Sequence, residues 1–257
     1  MELRNKVVVV TGGASGIGKA LCNRFAAEGA KGIVVVDRNI EDARKVAEQI
    51  GSIAIEADVS REQDIAGVIE TTEGEVGPID LFCSNAGIAA TGGLETSDVA
   101  WNRSWGVNVM SHVYTARLVV PKMIRRGGGY LLNTASAAGL LNQIGSVSYG
   151  VTKHAAVGFG EWLALTHAHD GIKVSLLCAQ AVNTPMLEDN ASTQAASVDG
   201  LMEPDDLAEV VIEGLREERF LILPHPQVAD YMRRKTGDYD RWIKGMNRLQ
   251  KRLAEGE

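Results

Sequence analysis

The chain of 257 residues is 45% hydrophobic and carries a formal net charge of −7, a size suited to one α/β domain with a substantial core. The acidic balance argues against a nucleic-acid binder, which presents a basic surface, and against general attraction to anionic membranes. No apolar run approaches the roughly 20 residues that span a bilayer, and the opening MELRNKVVVV shows no leader pattern, so the expected location is the cytoplasm. Cys22, Cys83 and Cys178 lie far apart in apolar segments without zinc-type spacing, as small core residues of a reducing compartment would.

Short β-branched runs alternate with longer segments of helical period, the pattern of a doubly wound parallel sheet with helices on both faces. Val7–Val10 reads as the first strand, and Thr11-Gly12-Gly13-Ala14-Ser15-Gly16-Ile17-Gly18 leads from it into a helix over Ile17–Glu28. So tight a turn needs residues without Cβ, because the backbone adopts positive φ and approaches a diphosphate closely. The helix amino end then offers unpaired N–H groups to the phosphates. The second strand, Ile33–Val36, ends at Asp37, where a carboxylate can accept hydrogen bonds from both adenosine ribose hydroxyls and repel a 2′-phosphate. Ser15 stands where a basic residue would favour that phosphate, whereas Arg38 could pair with it if Asp37 turned away. NAD is the expected cofactor, and NADP the alternative.

Further strands are expected at Ile53–Ile55, Leu81–Ser84, Tyr130–Ala135, Val174–Cys178 and Phe220–Leu223. Helices are expected at Ile40–Ile50, Glu62–Glu75, Asn108–Arg126, Tyr149–Ala168 and Asp205–Glu217, the last begun by Pro204. All of this belongs to one domain over residues 1–257. Met186–Met202 lacks apolar period and reads as a mobile substrate segment or a short helix with loops. Residues 226–257 form a basic helical extension in which Trp242, Met246 and Leu249 recur at helical spacing. A terminal helix packed on the body with a solvated basic face is expected there, the alternative being a surface for an acidic partner or a membrane.

From Lys6 to about Pro224 the chain resembles the short-chain dehydrogenase/reductase family. The glycine turn matches TGxxxGxG, Asp58-Val59 the adenine-pocket dipeptide, and Ser84-Asn85-Ala86-Gly87 the NNAG segment with Ser84 replacing the first Asn. Asn108 stands at the family's helix-kinking asparagine, Ser136 follows the fifth strand, and Tyr149-Gly150-Val151-Thr152-Lys153 gives YxxxK. Beyond the sixth strand, Ala179-Gln180 replaces the usual Pro-Gly, although Val182 and Thr184 match the positions that hold the nicotinamide carboxamide. The resemblance implies a single Rossmann-type domain that moves a hydride between NAD(H) and a secondary alcohol or ketone. It also implies cofactor contacts from Gly12, Ser15, Gly16, Ile17, Gly18, Asp37, Asp58, Val59, Asn85, Ala86, Gly87, Tyr149, Lys153, Val182 and Thr184.

Tyr149 and Lys153, four residues apart, share a helix face at about 5–6 Å between Cβ atoms. A free phenol titrates near pH ~10, and a nearby ammonium and the positive nicotinamide of NAD both favour the anion. Lowering its pKa by roughly 2–3 units takes about 3–4 kcal/mol. Tyr149 is then the acid/base, and Ser136 donates to the substrate oxygen where negative charge develops. The resemblance gives Lys153 a further role on the nicotinamide ribose, and Asn108 one in a water chain from Lys153 to solvent. It also implies a homotetramer or homodimer paired through the helices starting near Asn108 and Tyr149, the second carrying the small residues Ala155, Ala156, Gly158 and Gly160.

Leu140–Ser148, Val182–Leu187, the segment to Met202 and residues after Pro224 are expected to choose the substrate, a bulky and mainly apolar small molecule. No GxSxG elbow follows a strand, and His112, His154, His167, His169 and His225 form no metal-ligand pair, so hydrolase and metal chemistry find no support. An NADPH-dependent carbonyl reductase and a non-catalytic NAD(H)-sensing module are the rival readings. The intact Asn108, Ser136, Tyr149 and Lys153 set weighs against the second.

Overall fold

The computed structural model describes residues 1–187 and 190–255. Its sheet has seven strands, β1 (Val7–Thr11), β2 (Gly32–Asp37), β3 (Ile53–Glu56), β4 (Leu81–Ser84), β5 (Gly129–Thr134), β6 (Ile172–Leu177) and β7 (Leu221–Ile222). All pair in parallel, in the order β3-β2-β1-β4-β5-β6-β7. Strand side chains alternate between two apolar layers, which is why the runs read as continuously apolar. Val8 and Val10 enter one layer, with Leu21 and Phe25 of α1 (Gly16–Ala27), Val46 of α2 (Ile40–Gln49) and Val211 of α9 (Pro204–Arg216). Val9 enters the other, with Ile65 of α3 (Glu62–Glu75), Val119 of α5 (Ser111–Arg125) and Leu163 of α7 (Val147–His167).

The chain moves outward from β1 to β3 and then crosses back to β4. That reversal opens a crevice at the carboxyl ends of β1 and β4.

Three elements depart from the sequence expectations. The helix expected from Asn108 is preceded by α4 (Asp98–Trp105), whose Ser97 cap accepts a hydrogen bond from the Ala100 N–H. The chain then passes a π-helical turn, Gly106–Met110, before α5. Because Ser104 is the one buried residue of α4 among those described, that helix leaves no apolar stripe to read. The expected terminal helix is two, α10 (Gln227–Gly237) and α11 (Tyr239–Glu255), broken at the extended Asp238, which caps α11 by accepting from the Arg241 N–H at 2.9 Å. Short helices α6 (Ala138–Leu141) and α8 (Ala191–Ala196) complete the set. Residues 188–189 of the expected mobile segment and 256–257 of the extension lie outside the described residues. Among the described residues no helix is long and apolar enough to cross a membrane.

Behind the crevice, His112 of α5 is 2% exposed, and neither ring nitrogen has a hydrogen-bond partner among the described residues. Burial pushes its pKa down to about 3, the Lys153 charge adds to this, and the Asn133 side chain opposes it. Unfolded, an imidazole titrates near ~6.5. Between those values the unfolded chain binds a proton that the folded chain refuses, so stability falls as pH falls, by about 1.4 kcal/mol per pH unit from this one group. In urea titrations stepped downward from neutral pH, His112→Gln should lose stability less steeply than wild type by that amount. Parallel acid dependence in the two proteins would show that His112 protonates freely when folded.

Candidate active site

At the end of β1 the Thr11 hydroxyl accepts hydrogen bonds from the Asn85 and Ala86 N–H groups at 2.9 and 3.1 Å and donates to the Cys83 carbonyl at 3.3 Å. Gly12, at φ +66°, then turns so close to β4 that an added Cβ would stand 2.9 Å from the Ala86 Cα, and one on Gly18 would run into the Gly12 carbonyl. Ser15 occupies the cap of α1 without a side-chain cap bond. Asp37 is half-buried at the end of β2, accepting from the Ala14 N–H at 3.2 Å and the Asn39 N–H at 3.0 Å, beside an exposed Arg38. Hydrogen bonds from the Ser60 hydroxyl and N–H hold the Asp58 carboxyl below its ordinary range, against the effect of its burial. Gly12, Ser15, Asp37, Arg38 and Asp58, with Gly16, Ile17, Gly18, Val59, Asn85, Ala86, Gly87 and Thr184, line a cavity of about 440 Å³. A backbone cradle without room for a Cβ, the open amino end of a helix and a carboxylate at the second strand fit a dinucleotide.

The far end of this cavity is lined by Ser136, Tyr149 and Lys153. Lys153 is 3% exposed, and its ammonium donates to the Thr134 carbonyl at 3.0 Å. Its Nζ lies 5.6 Å from the centroid of the half-buried Tyr149 ring. Burial pushes the lysine down to about 8, leaving it mostly charged at neutral pH. The sequence expectation of a phenol lowered by that ammonium does not hold in the protein alone. Burial pushes Tyr149 above its ordinary value, with only the Ser136 hydroxyl pulling it back. Dehydration disfavours each charged form on its own.

Asn108 does not line the cavity. It sits fully buried in the π-helical turn, its amide nitrogen donating to the Ile88 carbonyl at 2.9 Å and the Thr152 hydroxyl at 3.1 Å, its Oδ1 accepting from the Ile88 N–H at 2.9 Å. It thereby ties the loop following β4 to α7, one residue from Lys153. Thr11, Thr134 and Thr152 were not singled out in the sequence, although Thr11 opens the glycine motif and Thr152 lies within YxxxK.

A second cavity, of about 340 Å³, shares Ser136 and Tyr149 with the first. Its walls are mainly apolar, with Leu141, Ile144, Leu187 and Val198, and α11 contributes Trp242, Met246 and Leu249. Val182 lines this cavity rather than the first, Thr184 lines both, and Leu140 and Val147 line neither. Gln180 also stands between the two cavities, its N–H donating to His225 Nδ1 at 3.2 Å and its buried Oε1 without a hydrogen-bond partner among the described residues. From the basic extension, Lys235 is buried rather than solvated and donates to the Leu140 carbonyl at 2.6 Å. The thiols of Cys22, Cys83 and Cys178 are free and buried.

The family model for short chain dehydrogenases matches residues 6–195. A 1-deoxy-11-beta-hydroxypentalenate dehydrogenase of Streptomyces exfoliatus is 31% identical over 252 residues, covering 95% of this chain and 91% of the relative. The meso-2,3-butanediol dehydrogenase of Serratia marcescens is 34% identical over 190 residues, covering 72% and 75%. A short chain dehydrogenase/reductase from Burkholderia phymatum, solved in complex with NAD, superposes with a TM-score of 0.86 at 28% identity over 93% of this chain and 96% of that one. With the family's model spanning most of the chain and the sheet, crevice and Tyr149–Lys153 helix in place, this protein belongs to the short-chain dehydrogenase/reductase family of oxidoreductases.

Proposed function

We propose that this protein is an NAD-dependent oxidoreductase that interconverts a secondary alcohol and its ketone on a bulky, mainly apolar small molecule. The observation that carries this reading is the position of Tyr149 and Ser136 at the junction of a dinucleotide-shaped cavity and an apolar one. Both relatives named above are dehydrogenases of hydroxyl-bearing compounds by their names, and the Burkholderia phymatum neighbour was solved with NAD.

Gly12, Ser15, Gly16, Ile17 and Gly18 hold the diphosphate at the amino end of α1. Asp37 takes the adenosine ribose, Asp58 and Val59 bound the adenine, and Asn85, Ala86 and Gly87 form the floor beyond it. Thr184, which lines both cavities, holds the carboxamide, with Val182 on the side of the apolar cavity, while Tyr149 and Lys153 hold the second ribose. When bound there, a nicotinamide supplies the hydride donor or acceptor and, in its oxidised form, a positive charge near the phenol.

Tyr149 gives its hydroxyl proton to the ketone oxygen in reduction and takes the alcohol proton in oxidation. Ser136 donates a hydrogen bond to the same oxygen, where negative charge develops. Lys153 keeps an ammonium beside Tyr149, fixed by the Thr134 carbonyl, and Asn108 fixes the helix that carries both. The phenol, pushed up by burial, is protonated at neutral pH and suited to reduction. In a second reading, which rests on the exposed Arg38 lining the same cavity, NADP is the cofactor. Assembly as a homodimer or homotetramer uses α7, whose Trp162 and Leu165 are 54% and 82% exposed. The free thiols suit a reducing cytoplasm.

The reading is tested by following reduced nicotinamide absorbance with NAD or NADP and a panel of secondary alcohols and ketones. Tyr149→Phe should lower turnover by at least about 10²-fold while binding of the nicotinamide nucleotide, measured by calorimetry, weakens by no more than about tenfold, the cost of one ribose hydrogen bond. In wild type, alcohol oxidation should rise with pH above neutrality and ketone reduction should fall once the phenol ionises. Full activity in Tyr149→Phe would remove Tyr149 from the chemistry. Asp37→Ala should cut the preference for NAD over NADP about tenfold or more, through lost ribose hydrogen bonds and lost repulsion. An unchanged cofactor ratio would favour the Arg38 reading.

A further inference from the structure

Among the described residues lining the second cavity, Arg234 of α10 is the one charged side chain. Its guanidinium lies 5.6 Å from the Tyr231 ring centroid, and no carboxylate among the described residues pairs with it. Its neighbours are committed elsewhere, Arg233 to Asp230 and Lys235 to the Leu140 carbonyl. Asp199 accepts from the Tyr231 hydroxyl at 2.9 Å and does not line the cavity. Arg234 is exposed, so it stands at the mouth. It belongs to the wall made by α10 and α11, and no residue of that wall lines the dinucleotide-shaped cavity.

We propose that this pocket takes a hydroxy acid or keto acid with an apolar body, whose carboxylate is held by Arg234 at the mouth while the hydroxyl or carbonyl reaches Tyr149. The inference rests on the proposed role of Tyr149 for the orientation of the ligand. A carboxylate elsewhere in the pocket would be buried against apolar walls without a counter-charge, which is costly. At the mouth it meets a planar guanidinium able to bind both oxygens, in a protein whose net charge of −7 otherwise repels anions. The apolar stripe of α11, Trp242, Met246 and Leu249, is half-buried and turned to this cavity, which accounts for the stripe without a membrane surface.

The test uses three acids of increasing length, trans-4-hydroxycyclohexanecarboxylate, a hydroxydecalin carboxylate and lithocholate, each beside its methyl ester. Binding is measured by calorimetry on the full chain complexed with whichever of NADH or NADPH binds, and turnover separately. At least one acid should bind about five- to tenfold more tightly than its ester. That preference should shrink as ionic strength rises towards about 1 M, where the screening length falls to about 3 Å. Arg234→Gln, at an exposed site where folding is not at stake, should bring the acid-to-ester ratio close to one, and Arg234→Lys should restore part of it. Equal binding of every acid and its ester, no binding of any acid, or a ratio untouched in Arg234→Gln would overturn the proposal. Acid-selective binding that depends on Arg234, without turnover of any probe, would support the anion site and count against the oxidoreductase reading of Tyr149.

Discussion

The structure depends on how closely the turn after β1 passes the end of β4. There is no space for a Cβ between Gly12 and Ala86, and the Thr11 hydroxyl pins the gap by bonding to both Asn85 and Ala86. The same hydrogen bonding continues across the sheet. The Asn85 amide nitrogen donates to the Thr11 carbonyl at 3.0 Å, its oxygen accepts from the Thr134 hydroxyl at 3.1 Å, and the Thr134 carbonyl receives the Lys153 ammonium at 3.0 Å. The glycine cradle and the lysine are therefore ends of one side-chain and backbone network. A displaced β1 turn would be felt at the lysine, because the links between them sit on β1, β5 and the residue that directly follows β4.

Burial sets the electrostatics of this region more than any pairing does. Lys153, Tyr149 and His112 are all shifted towards their neutral forms, and in each case dehydration is the largest cause. Among the described residues no carboxylate pairs with Lys153, and the Thr134 carbonyl oxygen accepts from its ammonium. A carboxylate partner would hold the lysine charged but cancel its field at the phenol. A neutral carbonyl orients the ammonium and leaves that field in place. His112, neutral and adjacent, adds no competing charge.

Where chemistry and local chain geometry coincide, the sequence was readable. The strands could be placed within a residue or two because parallel strands buried on both faces must be continuously apolar, and β4 was read at its observed bounds. Gly12, Gly16, Asp37, Ser136, Tyr149 and Lys153 lie at strand ends or at fixed helical spacing, so proximity in sequence carries over into proximity in the site. Residues that act through distant packing gave less signal. Asn108 contacts Ile88 and Thr152, and only the fold brings those partners together. The buried state of Lys235 depends on α10 docking against α6, which a run of basic residues conceals. The break at Asp238 was hidden because Gly237-Asp238 interrupts a stretch whose charges and aromatics keep a helical spacing on either side.

The two cavities differ in origin, and this explains their different legibility. The first is built from the carboxyl ends of β1, β2, β4 and β5, positions held by the ladder of backbone hydrogen bonds. The second is built from α6, the segment around α8 and the α10–α11 pair, elements far apart in sequence that meet through side-chain packing. Gln180 belongs to both, standing where the chain leaves β6, with its backbone fixed by His225 and its amide oxygen buried and unsatisfied by the protein. An unpaired buried acceptor of this kind carries a cost that a hydrogen-bond donor from either occupant can relieve. Gln180 is therefore a wall that the two cavities share, at the place where Ala179-Gln180 stands instead of the family's Pro-Gly.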